Sequence, residues 1–387
     1  MHRSVLSVFL AVRLWLGALA LIAGTAAAVA AEGPQAANLS VVDLDAEALK
    51  ERMIAPKAIG DLVAPTGRII AADPLVNPDH PPFGRTVAPG SYPVTLFFAQ
   101  ERVALAMLRL APGKIARWRI ATTPGQDARK LKDGEIFGYG VDAGLGSFMD
   151  HEAVRAMRWR GRETKCDNYY DCVLADELAA NNDDYAMHLP MKDEDANVAV
   201  FSSGWGDGFY ATYWGEDESG QALALVTDFG VLEDGDGRTL QQRRVAAMSP
   251  EQREAAGRAH AAIQRDDEAA LRAVLIEGVA TPEAFAPETG ETLTLEAVRG
   301  DKPKALETLI RYGARREVDA ETARVFELRT YADYAGSLEK PIEGLNEQPP
   351  KLSAALKDVL ARWDAGAIAP ASDGPASAPP GGAKPTP

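Results

Sequence analysis

The sequence is poor in the residues that build metal and redox centres: two cysteines and five histidines occur in 387 residues. Cys166 and Cys172 have no histidine pattern beside them, so they do not make a zinc site. No histidine sits in a His-Glu-x-x-His array. A Gly-x-Ser-x-Gly elbow, a Walker loop and a dinucleotide fingerprint are all missing. Positive charge is also short, with 41 Lys+Arg against 56 Asp+Glu and a net charge of −15. A protein that tracks phosphates needs the opposite balance, which argues against nucleic-acid or anionic-membrane binding. No apolar run after the N-terminus is long enough to span a bilayer. The remainder, 46% hydrophobic and 25% charged, is the composition of a globular protein of two or three domains. Neither a cofactor nor a metal is expected.

The N-terminus carries an export signature. Arg3 and Arg13 supply positive charge, Leu14 to Val29 is apolar or small throughout, and Ala28-Val29-Ala30 fits the small-x-small cleavage rule. A signal peptide over residues 1–30 is therefore expected, with the mature protein periplasmic or secreted and without a stable membrane anchor. The strongly apolar part, Leu14 to Ile22, is short of the ~20 residues a spanning helix needs. A lipoprotein would need a cysteine at the cut site, and a twin-arginine signal a paired arginine; neither is present. Loss of Arg3 and Arg13 takes the net charge from −15 to −17. In an oxidising compartment Cys166 and Cys172 are expected to form a disulfide. Their spacing is unlike that of a thioredoxin-type motif, so a structural staple worth about 2 kcal/mol is the expectation.

The spacing of apolar residues predicts an α+β protein: a mainly antiparallel β domain over 38–235, then an α-helical module over 247–364. Asp43 to Met53 fits a short amphipathic helix, and a Pro- and Gly-rich approach runs from Pro56 through Pro89-Gly90. Within it Gly67 to Pro74 holds a short strand stopped by proline. Strands follow at Tyr92 to Leu96, Val103 to Leu110, Lys114 to Ile120 and Phe137 to Val141. Ser147 to Arg160 reads as helix, and the cysteine loop with the acidic run to Asp184 reads as exposed. Val198 to Phe201, Phe209 to Trp214 and Ala222 to Phe229 are separated by short glycine-bearing segments, which predicts an antiparallel meander.

From Ser249-Pro250-Glu251, a helix start with Pro at N1, the pattern is helical. Units repeat at an offset of 35: Ala262 matches Ala297, Asp266 matches Asp301, Leu271 matches Leu306, and Gly278 matches Gly313. Leu309 to Ala314 and Thr292 to Ala297 resemble the ending and a degenerate opening of ankyrin repeats, over about 257–314. Leu293 stands in place of the usual proline, and the period exceeds 33 residues. No third unit is visible after Arg315. Residues 365–387, rich in Pro and Ala, are expected to be disordered.

The most unusual segment is Ser203-Gly204-Trp205-Gly206-Asp207-Gly208. Its glycines permit positive φ and close backbone approach, and Asp207 between two of them reads either as a presented ligand group or as a turn residue. Together with Tyr213-Trp214-Gly215, Asp228-Phe229, Gly67 to Pro74, Pro89 to Val94 and Gly138 to Gly144, it resembles the bacterial family called domain of unknown function 4241. That resemblance covers about 67–232 and implies no established activity or catalytic residue. Asp73, Asp142 and Asp228 form a candidate acidic cluster with Asp207, and Asp150 is a further motif aspartate. Such a group is suited to Ca²⁺ or to acid–base chemistry if the fold gathers it, and to turn capping if not. Asp234-Gly235-Asp236-Gly237 is no EF-hand, because Arg238 sits where a third ligand belongs. His80, His151, His188 and His260 remain after cleavage, and Asp150-His151-Glu152 reads as a base or as an exposed helical histidine. Three functions fit these features. One is an exported binding module, immunity-like, steered by its acidity toward a basic protein. The others are a hydrolase with a carboxylate pair near Asp207, and a structural envelope protein.

Overall fold

Short runs of β-branched and aromatic residues between tight turns dominate the chain up to Arg238, and capped helices dominate after it. The computed structural model divides at the same place, into one unit ending at Arg238 and a second beginning at Thr239. The structure describes residues 36–164, 168–320, 322–323, 328–340 and 349–373. The expected signal peptide and Cys166, half of the expected disulfide, lie outside the described residues.

In chain order the first unit contains helices α1 (Ala36–Ser40) and α2 (Ala46–Glu51), then strands β1 (Ala55–Ala64), β2 (Ile69–Ala72), β3 (Gly90–Ala99), β4 (Arg102–Arg109), β5 (Arg117–Ile120), β6 (Tyr139–Val141) and β7 (Leu145–Asp150). Helices α3 (His151–Glu163) and α4 (Ala175–Ala179) follow, then strands β8 (Tyr185–His188), β9 (Val198–Ser202), β10 (Gly208–Glu216) and β11 (Ala222–Asp228). The larger sheet has the order β1-β3-β4-β11-β10-β5, with β6 also pairing β10; the smaller has the order β2-β7-β9-β8. The pairings within both sheets are antiparallel.

Period-two alternation sorts the smaller sheet's side chains between two cores. Ile69, Ala71, Phe148, Ala199 and Phe201 join the core shared with the larger sheet. Ile70, Ala72, Met149, Val198 and Val200 face the other way, onto Val154 and Met157 of α3 and onto Leu174 and Leu178. The smaller sheet is thus the middle layer. Both of its faces are buried, which is why β9 reads as an unbroken apolar run rather than an alternating one.

Several expectations need correction. The predicted meander is only partly formed: β10 and β11 pair, but β9 belongs to the other sheet, so residues 203–207 cross between sheets instead of closing a hairpin. The segment read as helix from Ser147 begins as strand β7, and the helix starts at His151. The switch is made by Asp150, whose side chain accepts from the Glu152 N–H at the helix N-terminus. Strand β1 lies largely where proline and glycine had suggested an irregular approach, and β8 lies where no element was expected. The acidic stretch before β8 is not simply exposed, since Leu174 and Leu178 are buried in it.

The second unit holds α5 (Leu240–Ala247), α6 (Pro250–Gln264), α7 (Glu268–Ile276), α8 (Leu293–Arg299), α9 (Pro303–Arg311), α10 (Tyr331–Leu338) and α11 (Ala354–Asp364). The 35-residue offset is visible in the backbone. Asp266 and Asp301 adopt φ of +51° and +52°, and Gly278 and Gly313 φ of +76° and +97°. Helix α8 packs on α6 and α9 on α7; in the same way α10 packs on α8 and α11 on α9. The two aspartates act alike. Asp266 accepts from the Ala305 N–H in α9 at 2.9 Å, and Asp301 accepts from Ser353, the residue that caps α11. A third helix pair therefore follows, in a stretch that read as helical but showed no third repeat unit. Its spacing hid it: 15 residues separate α10 from α11, against three between α8 and α9. Residues 365–373, expected to be disordered, are held to this unit. The Ala371 N–H donates to the Arg311 carbonyl at 2.7 Å, and Asp373 accepts from the Tyr312 hydroxyl at 2.8 Å.

Candidate functional site

The crossover between β9 and β10 is pinned from several directions. The buried Ser203 donates its N–H to the Gly144 carbonyl at 3.0 Å and its hydroxyl to the Gly206 carbonyl at 2.9 Å. The Tyr210 hydroxyl donates to the same carbonyl at 2.9 Å. Gly204 has φ +58°, and a Cβ there would lie 2.7 Å from Phe229 Cβ, so both conformation and space require glycine. Behind the loop Phe148, Phe201, Phe229 and Tyr210 pack edge to face, with centroid separations of 5.3, 6.0 and 5.0 Å.

This loop and the first residues of β10 present apolar surface. Trp205 is 56% exposed and Phe209 54%. Trp205 donates its ring N–H to the Gly230 carbonyl at 3.2 Å. The Arg102 guanidinium lies over the indole at 4.5 Å and also donates to the Gly204 carbonyl at 3.2 Å.

Two of the motif aspartates, Asp73 and Asp207, serve the backbone of the turn between β6 and β7. Asp73 is fully buried. One of its oxygens accepts from the Leu75 and Val76 N–H groups, and the other from Asp142 and Ala143. Asp207 accepts from the next N–H, that of Gly144, at 3.2 Å. Three successive N–H groups are thus satisfied by two carboxylates, while the side chain of Asp142 itself is exposed. Asp228 stands apart, accepting from the Gly230 N–H at 2.8 Å and from the Asn38 amide at 3.3 Å. Burial pushes its carboxyl above the usual range, and those two bonds offset only part of the shift. Asp150 caps α3 and also accepts from the Thr66 hydroxyl. Asp207 shares no hydrogen bond with a second carboxylate. Among the described residues no group of three or more His, Cys, Asp or Glu is placed to hold a metal ion.

The segments that meet here, at 73, 142–144, 203–208 and 228–230, are spread along one stretch of chain. Residues 62–227 match the family described as protein of unknown function (DUF4241). The match ends before the helical unit. No curated protein and no solved structure matches the chain.

The DUF4241 region contains three further charged arrangements that no motif announced. Arg85, Arg117 and Arg119 converge on Glu216 at 2.8, 2.8 and 3.0 Å. The buried His188 bonds Glu177 through Nδ1 at 3.0 Å and the Tyr169 hydroxyl through Nε2 at 2.7 Å. This chain ties the segment after α3 to β8. The third is a cleft of about 470 Å³ lined by His80, His151, Arg155, Arg158, Trp159 and Arg162, together with Asp79 and a few apolar residues. The arginine spacing of three and four along α3 was legible in the sequence as one helix face. What it faces was not, because the opposite wall comes from residues 79–82, some 70 positions earlier.

Proposed function

We propose that the protein is an exported binding protein whose β unit engages a partner through the crossover loop, with Trp205, Phe209 and Arg102 as contact residues. The observation that carries this reading is a pair of half-exposed aromatic rings, Trp205 on a crossover loop held by its own hydrogen bonds and Phe209 at the start of β10. Tryptophan and arginine dominate the energetics of protein interfaces, and a pre-ordered loop loses little entropy on binding. The net charge of −15 favours a basic protein as partner, as for an immunity-like protein that neutralises a toxin. The stacked helix pairs of the second unit supply an ankyrin-like surface for the same purpose. The disulfide between Cys166 and Cys172 and the periplasmic or secreted location belong to this proposal. The hydrolase reading receives no support from the aspartates. Asp73 is occupied by four backbone N–H groups, and Asp207 accepts from the Gly144 N–H.

The test is capture of partners from the native periplasm by the mature protein, compared with Trp205→Ala and Asp207→Asn. A specific partner retained by the wild type and lost by Trp205→Ala, with unchanged melting, supports the reading. Asp207→Asn removes charge at nearly constant volume and should weaken the same capture. If both variants retain every partner that the wild type binds, the loop is only a structural crossover.

A further inference from the structure

We infer that the cleft between α3 and residues 79–82 is a binding site for a small organic phosphate. It is separate from the crossover loop and does not depend on the function proposed for that loop. The cleft, at about 470 Å³, has room for a small molecule. One wall is the face of α3 that carries His151, Arg155, Arg158, Trp159 and Arg162, residues three, four and seven positions apart and so stacked along one side of the helix. The other wall is Asp79, His80, Pro81 and Pro82.

The cationic groups differ in what already engages them. Arg155 is paired with Glu194 at 3.1 Å and with Glu152 at 3.3 Å. Arg158 is paired with Asp79, whose carboxylate lies within the cleft. Arg162 is exposed and has no ion-pair partner among the described residues. His151 Nδ1 is buried and has no hydrogen-bond partner among the described residues. Arg158 and Arg162 both line the cleft, and guanidinium groups suit phosphate oxygens because each offers paired donors in a plane. Asp79 occupies on Arg158 the position such an anion would take, so the ligand competes with it. Trp159, 54% exposed at the cleft, offers a flat apolar surface for the carbon part of the ligand. In a chain this acidic, a face with three arginines is not explained by solubility.

Phenyl phosphate serves as the probe, titrated calorimetrically into the full mature chain, with inorganic phosphate and phenol as separate titrants. Phenyl phosphate is expected to bind more tightly than inorganic phosphate, and phenol not to bind. Arg162→Gln should weaken phenyl phosphate about tenfold, as loss of one charge-assisted bond implies. Trp159→Ala should bring phenyl phosphate down to the affinity of inorganic phosphate. Asp79→Asn, by removing the competing carboxylate, should tighten both phosphates. Arg160→Gln, on the same helix but outside the cleft, should change neither by more than about twofold. Melting curves keep the reading independent of folding, since Arg162, Trp159 and Arg160 are not core residues. Absence of phenyl phosphate binding overturns the inference, and so does an equal loss in Arg160→Gln and Arg162→Gln, which would mark only diffuse attraction. Partner capture by the crossover loop is unaffected by either result.

Discussion

Glu216→Gln offers a quantitative test of what holds the edge of the larger sheet. The Glu216 side chain is 8% exposed, while Arg85, Arg117 and Arg119 are 34%, 40% and 62% exposed. Burial works against the charge of this carboxyl, but the bonds from Arg117, Arg119 and Arg85 outweigh it and hold the group below its ordinary value of 4.5. A charge-assisted bond in a buried setting contributes about 1.5–3 kcal/mol, and an exposed ion pair about 0.2–1 kcal/mol. This site lies between those cases, so roughly 1 kcal/mol per arginine is reasonable. Glutamine keeps one acceptor oxygen and the side-chain volume, so the expected loss is about 2 kcal/mol. For a unit of this size that corresponds to a fall of roughly 4–8 °C in melting temperature. The pH dependence has a definite sign. A folded-state value below the unfolded one gives stability that is complete above the ordinary value and is lost as pH falls through the depressed one. The gap between wild type and variant should therefore be constant from neutral pH down to about 4.5 and should close below it. Urea unfolding followed by fluorescence at pH 7 and at about pH 3 measures both quantities. A gap under about 0.5 kcal/mol at pH 7, or one that persists unchanged in acid, would refute the reasoning.

Four other outcomes are expected. Asp73→Asn leaves one acceptor oxygen for four N–H groups and should cost about 2–4 kcal/mol, read as a lower urea midpoint. Asp228, whose carboxyl burial pushes up, destabilises the fold as pH rises through its raised value; Asp228→Asn should remove that dependence from a stability–pH profile without lowering stability at neutral pH. Thiol titration of denatured, unreduced native protein should find no free thiol if Cys166 and Cys172 are bridged, and two if they are not. Intact-mass measurement of the native protein should place its first residue near Ala31; a species that retains Met1 counts against export.

The sequence by itself determined the features that depend on near neighbours. Strands β2, β4 and β11 were visible from short apolar runs stopped by proline, polar turns or glycine. Helix α6 was visible from its Ser249-Pro250 start. The 35-residue repeat was visible because Asp266, Asp301, Gly278 and Gly313 each answer a local backbone demand, namely a residue that tolerates positive φ. The glycine-rich loop was also legible as special, since Gly204 sits at a positive φ that other residues rarely adopt. What the sequence left open was everything decided by partners far along the chain. Strand β9 carries no mark that assigns it to one sheet and β10 to another; that depends on which apolar faces must be covered, a property of the assembled layers. Of the expected cluster, Asp73 and Asp142 meet at one turn, where Asp207 joins them, while Asp228 lies apart, and the chemistry of the group was not readable. Whether a carboxylate is free or serves four N–H groups depends on backbone brought from 70 residues away. The cleft beside α3 follows the same rule: its arginines are local and periodic, while its depth and its second histidine come from packing.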